Sequence, residues 1–443
     1  MRLSNSYGKI LSISAPLMLG TFIQSIVMIT DASFLSRYST ISFDASGNAG
    51  LIYITLFMGL TGLGDAGQIV MARRIGQNLK ETVNGFLQSN FITLFFFATI
   101  FYYIVQLLVP DMLMSYSKHE EIAREQISFL SIRSIGFFVA ALLLSLNAFF
   151  MAIGKTWVIM LSTVLFAGTN IVLDKLLIFG FWDVPAMGIE GAALASVISE
   201  AVAAFVLVLI LLFSQDRRNF DLLNELNIKI KHIKRLLSVG LPLMIQGFFA
   251  LATWTVFFTW IEQSSSYDLT VSQNIRVVYF LAFVPIFGFG ATTKTYIAQY
   301  MDQKDRSLIP TTIKRIQVLT IVFLLVFFHG AILYPETLIS IINPKEAYLE
   351  DSASVLRLVF GSFLIFGFTT PYFQTINGSG NTRVTLLIEI SAIVIYLIFA
   401  YIFIKVWNWN ILPVWSVEYI YFGSIGLFSI LYLRFFDWRK KEY

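Results

Sequence analysis

The sequence predicts an all-α integral membrane protein of twelve transmembrane helices, arranged as two pseudo-symmetric six-helix bundles. Three observations predict it. The chain of 443 residues is 57% hydrophobic and only 13% charged, with a mean hydropathy of +0.75, whereas soluble domains carry about 25% charged residues. Its apolar runs reach the roughly 20 residues that a hydrocarbon core about 30 Å thick demands of a helix. Its two halves repeat one another at a constant spacing.

Spans one to six are predicted at 10–36, 45–75, 86–109, 126–150, 156–180 and 188–213. Spans seven to twelve fall at 236–262, 270–299, 314–334, 353–377, 383–406 and 414–436. Basic residues gather at alternate gaps: "MARRIGQNLK" after span two, "KIKHIKR" before span seven, "DQKDRS" with "IKR" at span nine, and the tail "RFFDWRKKEY". Acids dominate the opposite loops, "DMLMSYSKHEEIAREQ" and "NPKEAYLEDS". Because cytoplasmic loops carry the excess of Lys and Arg, both termini are expected on the cytoplasmic side of a multi-pass membrane protein. That placement accounts for the net charge of +4 without a nucleic-acid partner. The first span is too long for a cleavable signal and is followed by no small-residue cleavage pattern.

One connection has real length, "SQDRRNFDLLNELNIKIKHIK", and it is expected to carry a short amphipathic helix on the cytoplasmic surface. The expected organisation is an N-terminal six-helix lobe at 1–213, a cytoplasmic linker at 214–235 and a C-terminal six-helix lobe at 236–443. "ILSISAPLML" pairs with "LLSVGLPLMI", with Pro16 and Pro242 separated by 226 residues. The same offset relates "GLGDAGQIVMAR" to "GFGATTKTYIAQ" through Gly62 and Gly288, and "AIGKT" to "GSGNT" through Gly154 and Gly380. Six spans per half start both halves on the same side, so the repeat is parallel, and rocking of the halves around a central cavity gives alternating access. Pro16 and Pro242 each remove a helical hydrogen bond and permit a bend, which makes Pro16 the expected hinge.

The repeat acts as an internal control on the polar residues. Asp31 maps to Phe257, Asn170 to Tyr396, Asp174 to Ala400 and Ser196 to Phe422, so this polar set belongs to the first half. At 1.5 Å per residue, Asp31, Asp174 and Asn170 lie about 31, 27 and 21 Å from the inner ends of their spans, and Ser196 about 12 Å below its outer end. A carboxylate at the bilayer centre costs about 2.5 to 3.5 kcal/mol, so such a group has a use or a partner. Two carboxylates, an amide and a hydroxyl make an oxygen-only set for Na+ at Asp31, Asn170, Asp174 and Ser196, or a carboxyl pair that shares a proton. The alternative is interhelical hydrogen bonding, worth about 0.6 kcal/mol per bond. Glu200, one turn inward of Ser196, is either a further proton carrier or a structural bond, and Asn147 on span four is the sixth member of the set. Asp65 and Glu389 lie nearer the inner ends, where Arg73, Arg74 or Arg383 are the expected partners. Gln24 and Met28 share a face with Asp31, while Gln246 and Trp254 occupy span seven; they line the substrate cavity or fill helix contacts.

Several chemistries are excluded. There is no cysteine, hence no disulfide or thiolate metal site, and His119, His232 and His329 are too scattered for a zinc or haem centre. "AIGKT" is not the tail of a phosphate-binding loop, because Phe149 stands where that pattern needs Gly. No nucleophile with a base is visible, so the chain is not expected to be an enzyme, and with no nucleotide-binding domain its energy source is an ion gradient. "NGS" at 377–379 faces the cytoplasm and carries no meaning as a glycosylation pattern.

The order of these motifs resembles the multidrug and toxic compound extrusion (MATE) transporters over nearly the whole chain: "PLMLGTFIQSIVMITD", "ARRIGQ", "MAIGKT", "TNIVLDKLLIFG" and "PAMGIEGAALAS". The resemblance implies a MATE-like fold and export of small amphipathic, often cationic, organic compounds in exchange for inward H+ or Na+, with no other cofactor and no partner beyond substrate and lipid bilayer. The chain is expected to act as a monomer. In the DinF-like branch, the resemblance assigns the coupling carboxylates to Asp31 and Asp174, the amides to Asn147 and Asn170, the hydroxyl to Ser196 and the kink proline to Pro16. Another branch carries acids on spans seven and ten; here "LPLMIQGFFALATWTVFF" and "FGSFLIFGFTTPYFQTI" hold none. A flippase for a lipid-linked oligosaccharide or peptidoglycan precursor is the alternative function, for which only Lys175, Arg276 and Lys294 offer cationic contacts.

Overall fold

The computed structural model describes residues 3–116, 120–182, 185–301, 306–343 and 345–440, so that His119 and parts of the expected acidic and basic loops (117–119, 302–305, 344) lie outside the described residues. The first half runs through α1 (Tyr7–Tyr38), α2 (Thr40–Gly76), α3 (Val83–Leu107), α4 (Val109–Tyr116), α5 (Glu120–Arg133), α6 (Gly136–Ala152), α7 (Thr156–Phe179), α8 (Gly188–Phe213) and the five-residue α9 (Gln215–Asn219). The second runs through α10 (Ile230–Glu262), α11 (Ser266–Tyr300), α12 (Ile309–Phe327), α13 (Gly330–Leu333), α14 (Pro335–Ile342), α15 (Leu349–Gly378), α16 (Thr382–Tyr401), α17 (Ile411–Val414) and α18 (Val417–Phe435). Among the described residues, eleven helices are long and apolar enough to cross a membrane, and α5 and α6, which meet that test only together and are bent by 45°, bring the number to twelve if the pair is one span. Helices are the expected solution in lipid, since each satisfies its own backbone donors and acceptors.

The repeat is visible in the helix ends. Ser39 and Ser265, related by the 226-residue offset, both take extended backbone and cap α2 and α11, accepting from Ser42 N at 3.3 Å and Asp268 N at 3.2 Å. Such caps satisfy donors that a helix N-terminus leaves free. At the other end, Gly154 (φ 72°) and Gly380 (φ 80°) leave the helical region at equivalent positions. Lys155 N then donates to Phe150 O at 2.9 Å and Asn381 N to Ile376 O at 3.2 Å, closing α6 and α15 with matching Schellman turns. This is the physical content of "AIGKT" and "GSGNT".

The chain packs as two compact units, Leu19–Met244 and Arg2–Met18 with Ile245–Tyr443. These differ from the expected lobes at their edges. Each changeover falls two residues past a proline, after Pro16 in α1 and after Pro242 in α10, both of which run as continuous helices. Repeat-related glycines explain the arrangement. A Cβ on Gly62 of α2 would stand 2.5 Å from Met244 N and 2.7 Å from Leu243 C, so α2 rests directly on the backbone of α10. Gly288 of α11 makes the corresponding approach to α1, at 3.3 Å from Ser14 O and 2.6 Å from Met18 Cγ. Small residues of this kind let membrane helices approach closely.

The linker, expected to carry a short amphipathic helix, holds the five-residue α9 and folds back onto the first unit. Lys155 Nζ holds Asp216 at 2.5 Å, Asn84 accepts from Leu223 N at 3.3 Å, and Gln88 bonds Glu225 O at 2.9 Å and Asn227 N at 2.8 Å. In the same unit, the break between α5 and α6 is supported by Gln106 of α3, which donates to Ser131 O at 2.8 Å and Ser134 Oγ at 3.0 Å. Its side chain satisfies an acceptor that a helix break exposes.

Gly62→Ala should lower the thermal unfolding temperature of the detergent-purified protein, corresponding to about 1–3 kcal/mol for an overpacked backbone contact. Gly168→Ala, where an added Cβ meets nothing within 4 Å, should leave it unchanged.

Candidate functional site

The first unit brings Asp31 and Asp174 together. Asp31 lies near the C-terminal end of α1 and Asp174 five residues before the end of α7, and their carboxyls come within hydrogen-bonding reach of each other. Asp174 is fully buried. Both of its oxygens, and Oδ1 of Asp31, lack a hydrogen-bond donor among the described residues. Two carboxylates in this position repel unless a proton or a cation lies between them.

Asn170, one turn before Asp174, is also fully buried, and neither its Oδ1 nor its Nδ2 has a partner among the described residues. The Oδ1 of Asn147 on α6 is likewise unsatisfied. Buried polar atoms without partners are rare in proteins and ask for a ligand or water. Ser196 follows from helix register. Gly191 of α8 packs so tightly on α7 that a Cβ would stand 2.6 Å from Leu177 O, and Met187 N donates to the same oxygen at 2.8 Å. Counting back along the antiparallel pair from that contact carries Ser196 to the level of Asn170 and Asp174. The side chains named are oxygen donors, the ligand type of hard cations. They include two carboxylates, and no group of three or more His, Asp or Glu that could hold a metal ion occurs among the described residues.

Glu200 stands differently. Arg133, the last residue of α5, donates from Nη1 to Glu200 Oε2 at 3.0 Å and from Nη2 to Oε1 at 2.5 Å, with the two side chains 11% and 12% exposed. This bidentate bond is the structural alternative weighed for Glu200. The guanidinium also lies 3.9 Å from the centroid of the Tyr53 ring, which stacks on Phe137 at 4.7 Å. Gly136 makes room for the group, since a Cβ there would stand 2.9 Å from Glu200 Oε2 and 3.2 Å from Tyr53 Oη. Arg133 is close enough to Asp31 to act on it electrostatically. It forms no ion pair with it, and none joins any Lys, Arg or His to Asp31 or Asp174 among the described residues. Arg133 was missed in the sequence. The available signal was a cation well inside the predicted span 126–150, which in a membrane calls for an anionic partner.

The other expected residues are placed as follows. Pro16 lies inside α1, in the second unit. Gln24 and Met28 are exposed on the part of α1 that belongs to the first unit. In the second unit Gln246 Oε1 has no partner among the described residues, and Trp254 packs against Tyr279 at 4.7 Å and Phe258 at 5.5 Å. Glu389 is not paired with Arg383: it is buried and accepts from the Tyr421 hydroxyl.

A family model, MatE, matches the chain twice, over residues 16–176 and 242–402. The two matches are displaced by the same 226 residues as the internal repeat. A curated relative from Thermotoga maritima, described as a probable multidrug resistance protein NorM, is 25% identical over 98% of this chain and 93% of its own length. A protein of the same description from Bacillus cereus is 29% identical over 45% of this chain and 44% of its own. A solved structure described as an outward-facing conformation of a multidrug resistance MATE family transporter of the MOP superfamily matches with a TM-score of 0.84 at 20% identity, over 96% of this chain and 94% of that one.

Arg133→Met should destabilise the protein by about 3–5 kcal/mol, because it leaves Glu200 buried and unpaired. The double variant Arg133→Met/Glu200→Met should recover most of the loss, as read by thermal unfolding of both in the same detergent.

Proposed function

The chain belongs to the MatE family, and from that premise we propose that it exports amphipathic, cationic organic compounds across the cytoplasmic membrane by alternating access, in exchange for inward H+ or Na+. One observation carries the reading: two carboxyls, Asp31 and Asp174, face each other in a membrane-spanning unit with no cation paired to either among the described residues. A site of this kind has two stable occupancies. Filled by a positive charge it is neutral and compatible with a closed, dry surrounding; emptied, it carries a repulsive negative charge that favours a water-accessible state. Linking the two occupancies to two accessible faces turns a gradient into work on a second, cationic solute. The hydrogen-bonding reach between the carboxyls supports a shared proton, and the unsatisfied Oδ1 of Asn170 supports Na+ as the competing occupant.

Asn170, Asn147 and Ser196 are proposed to complete the coordination, and Glu200 to position Arg133 rather than to carry protons. The basic loops support a cytoplasmic location for both termini, and Pro16 is the proposed hinge of α1. Gln24, Met28, Gln246 and Trp254 remain the proposed substrate contacts. The flippase reading has little support: Lys175 lies in one unit, Lys294 is buried in the other, and Arg276 is spread over the Phe258 ring at 5.3 Å.

Proteoliposomes loaded with a fluorescent cationic dye should show gradient-driven flux when either ΔpH or a Na+ gradient is imposed with the other collapsed, and the gradient that works identifies the ion. Asp31→Asn and Asp174→Asn should each reduce flux to that of empty liposomes. Undiminished flux in both variants would overturn the reading.

A further inference from the structure

The second unit contains buried acids that the reading above does not use. Glu418 opens α18, on span twelve, and is fully buried. Tyr279 of α11 donates its hydroxyl to Oε2 at 2.6 Å and Tyr396 of α16 to Oε1 at 3.2 Å, and the indole of Trp254 on α10 is also within reach. The surrounding shell is apolar: Phe257 packs on Tyr396 at 5.6 Å and on Trp415 at 5.5 Å, and Tyr279 meets Phe363 at 4.9 Å. Trp415 itself is occupied, donating to Ser272 at 3.1 Å. The titratable groups around Glu418 are Tyr279, Tyr396 and, on its own helix, Tyr421, whose hydroxyl serves Glu389 of α16. Tyr396 and Tyr421 are in ring contact at 5.4 Å. The nearest cation in the sequence of α11, Arg276, is exposed and lies over Phe258. No Lys, Arg or His pairs with Glu418 or Glu389 among the described residues.

The internal repeat gives this arrangement its meaning. Tyr396 occupies the position equivalent to Asn170, and Phe257 that equivalent to Asp31. The second unit therefore has neither aspartate at its repeat positions, which hold Phe257 and Ala400, yet a carboxyl reaches the Tyr396 side chain from α18, where the first half has Ala192. A glutamine would avoid the cost of burying an uncompensated charge, but with one acceptor oxygen it could keep only one of these phenol bonds in place, its amide nitrogen facing the other as a donor. What a carboxyl adds is the ability to gain and lose a proton.

We propose that Glu418, held by Tyr279 and Tyr396, is a second proton-binding site of this chain, located in the second unit and distinct from the Asp31–Asp174 pair. Ionised, the carboxylate accepts from both phenols. Taking up one H+ from water forms an O–H bond on one carboxyl oxygen, which then donates instead of accepting, so one phenol hydroxyl must turn to a new acceptor. Because Trp254 packs on Tyr279 at 4.7 Å, that turn is felt at an aromatic surface proposed above to meet substrate. Only this last consequence rests on the export reading; proton binding itself does not.

The test is pH-difference infrared spectroscopy on purified protein in lipid, which requires no transport. In the Asp31→Asn/Asp174→Asn/Glu389→Gln background, a protonated-carboxyl band of a buried acid should still titrate, and adding Glu418→Gln should remove that component. A spectrum unchanged by Glu418→Gln, or no titrating band at all, overturns the proposal. If Glu418→Gln does not fold, Tyr279→Phe retains the acid and removes one donor; it should shift the band, and an unshifted band overturns the proposal equally. In proteoliposomes with otherwise wild-type sequence, Glu418→Gln should change the pH profile of dye flux. Loss of all flux in the wild type would sink the export reading and leave the infrared result standing.

Discussion

A charge placed inside a membrane helix has to be answered within the protein, and in the first unit the answer is the bond between Arg133 and Glu200. Each removes the other from the local account of charge, through two parallel hydrogen bonds at 3.0 and 2.5 Å. Arg133 is thereby kept from pairing with Asp31, which it influences only from a distance. The break between α5 and α6, the missing side chain at Gly136 and the Tyr53 ring can all be understood as accommodation for this one guanidinium. Were Arg133 to pair with Asp31 instead, the aspartates would have a permanent counter-ion, and the ion exchange proposed for them would lose its basis.

The second constraint is close approach. Gly62 and Gly288 bring α2 and α11 onto the backbones of α10 and α1, and the symmetry of these contacts carries the repeat from sequence into packing. Ser39 with Ser265 and Gly154 with Gly380 carry it into the helix ends. What the repeat preserves is thus mechanical: caps, turns and crossings. What it lets diverge is the chemistry, with an aspartate pair in one unit and a glutamate among tyrosines in the other.

Much of this was legible in the sequence. The spans were, because hydrocarbon thickness and helix rise leave little freedom, and Asp31 and Asp174 were, because an acid in an apolar run is conspicuous. Their contact was inferred only from depth. Arg133 and Glu200 stand 67 residues apart on different helices, and nothing local announces the bond. The bend beside it has no proline to mark it. Glu418 escaped notice because it stands at the mouth of span twelve, where an acid reads as an ordinary interfacial residue; only the fold encloses it. Glu389 was assigned the wrong partner because sequence proximity favoured Arg383, while a tyrosine on another helix claimed it.

The changeovers after Met18 and Met244 have a consequence for how such a chain could be divided. A gene cut at the polypeptide connecting the repeats would yield two fragments, and each would lack the opening half-helix that its own compact unit requires, that half-helix having stayed on the other fragment. Neither piece would be self-sufficient, and the two would have to be synthesised together and trade those segments to assemble. A duplicated ancestor joined in this manner is committed to remaining one molecule.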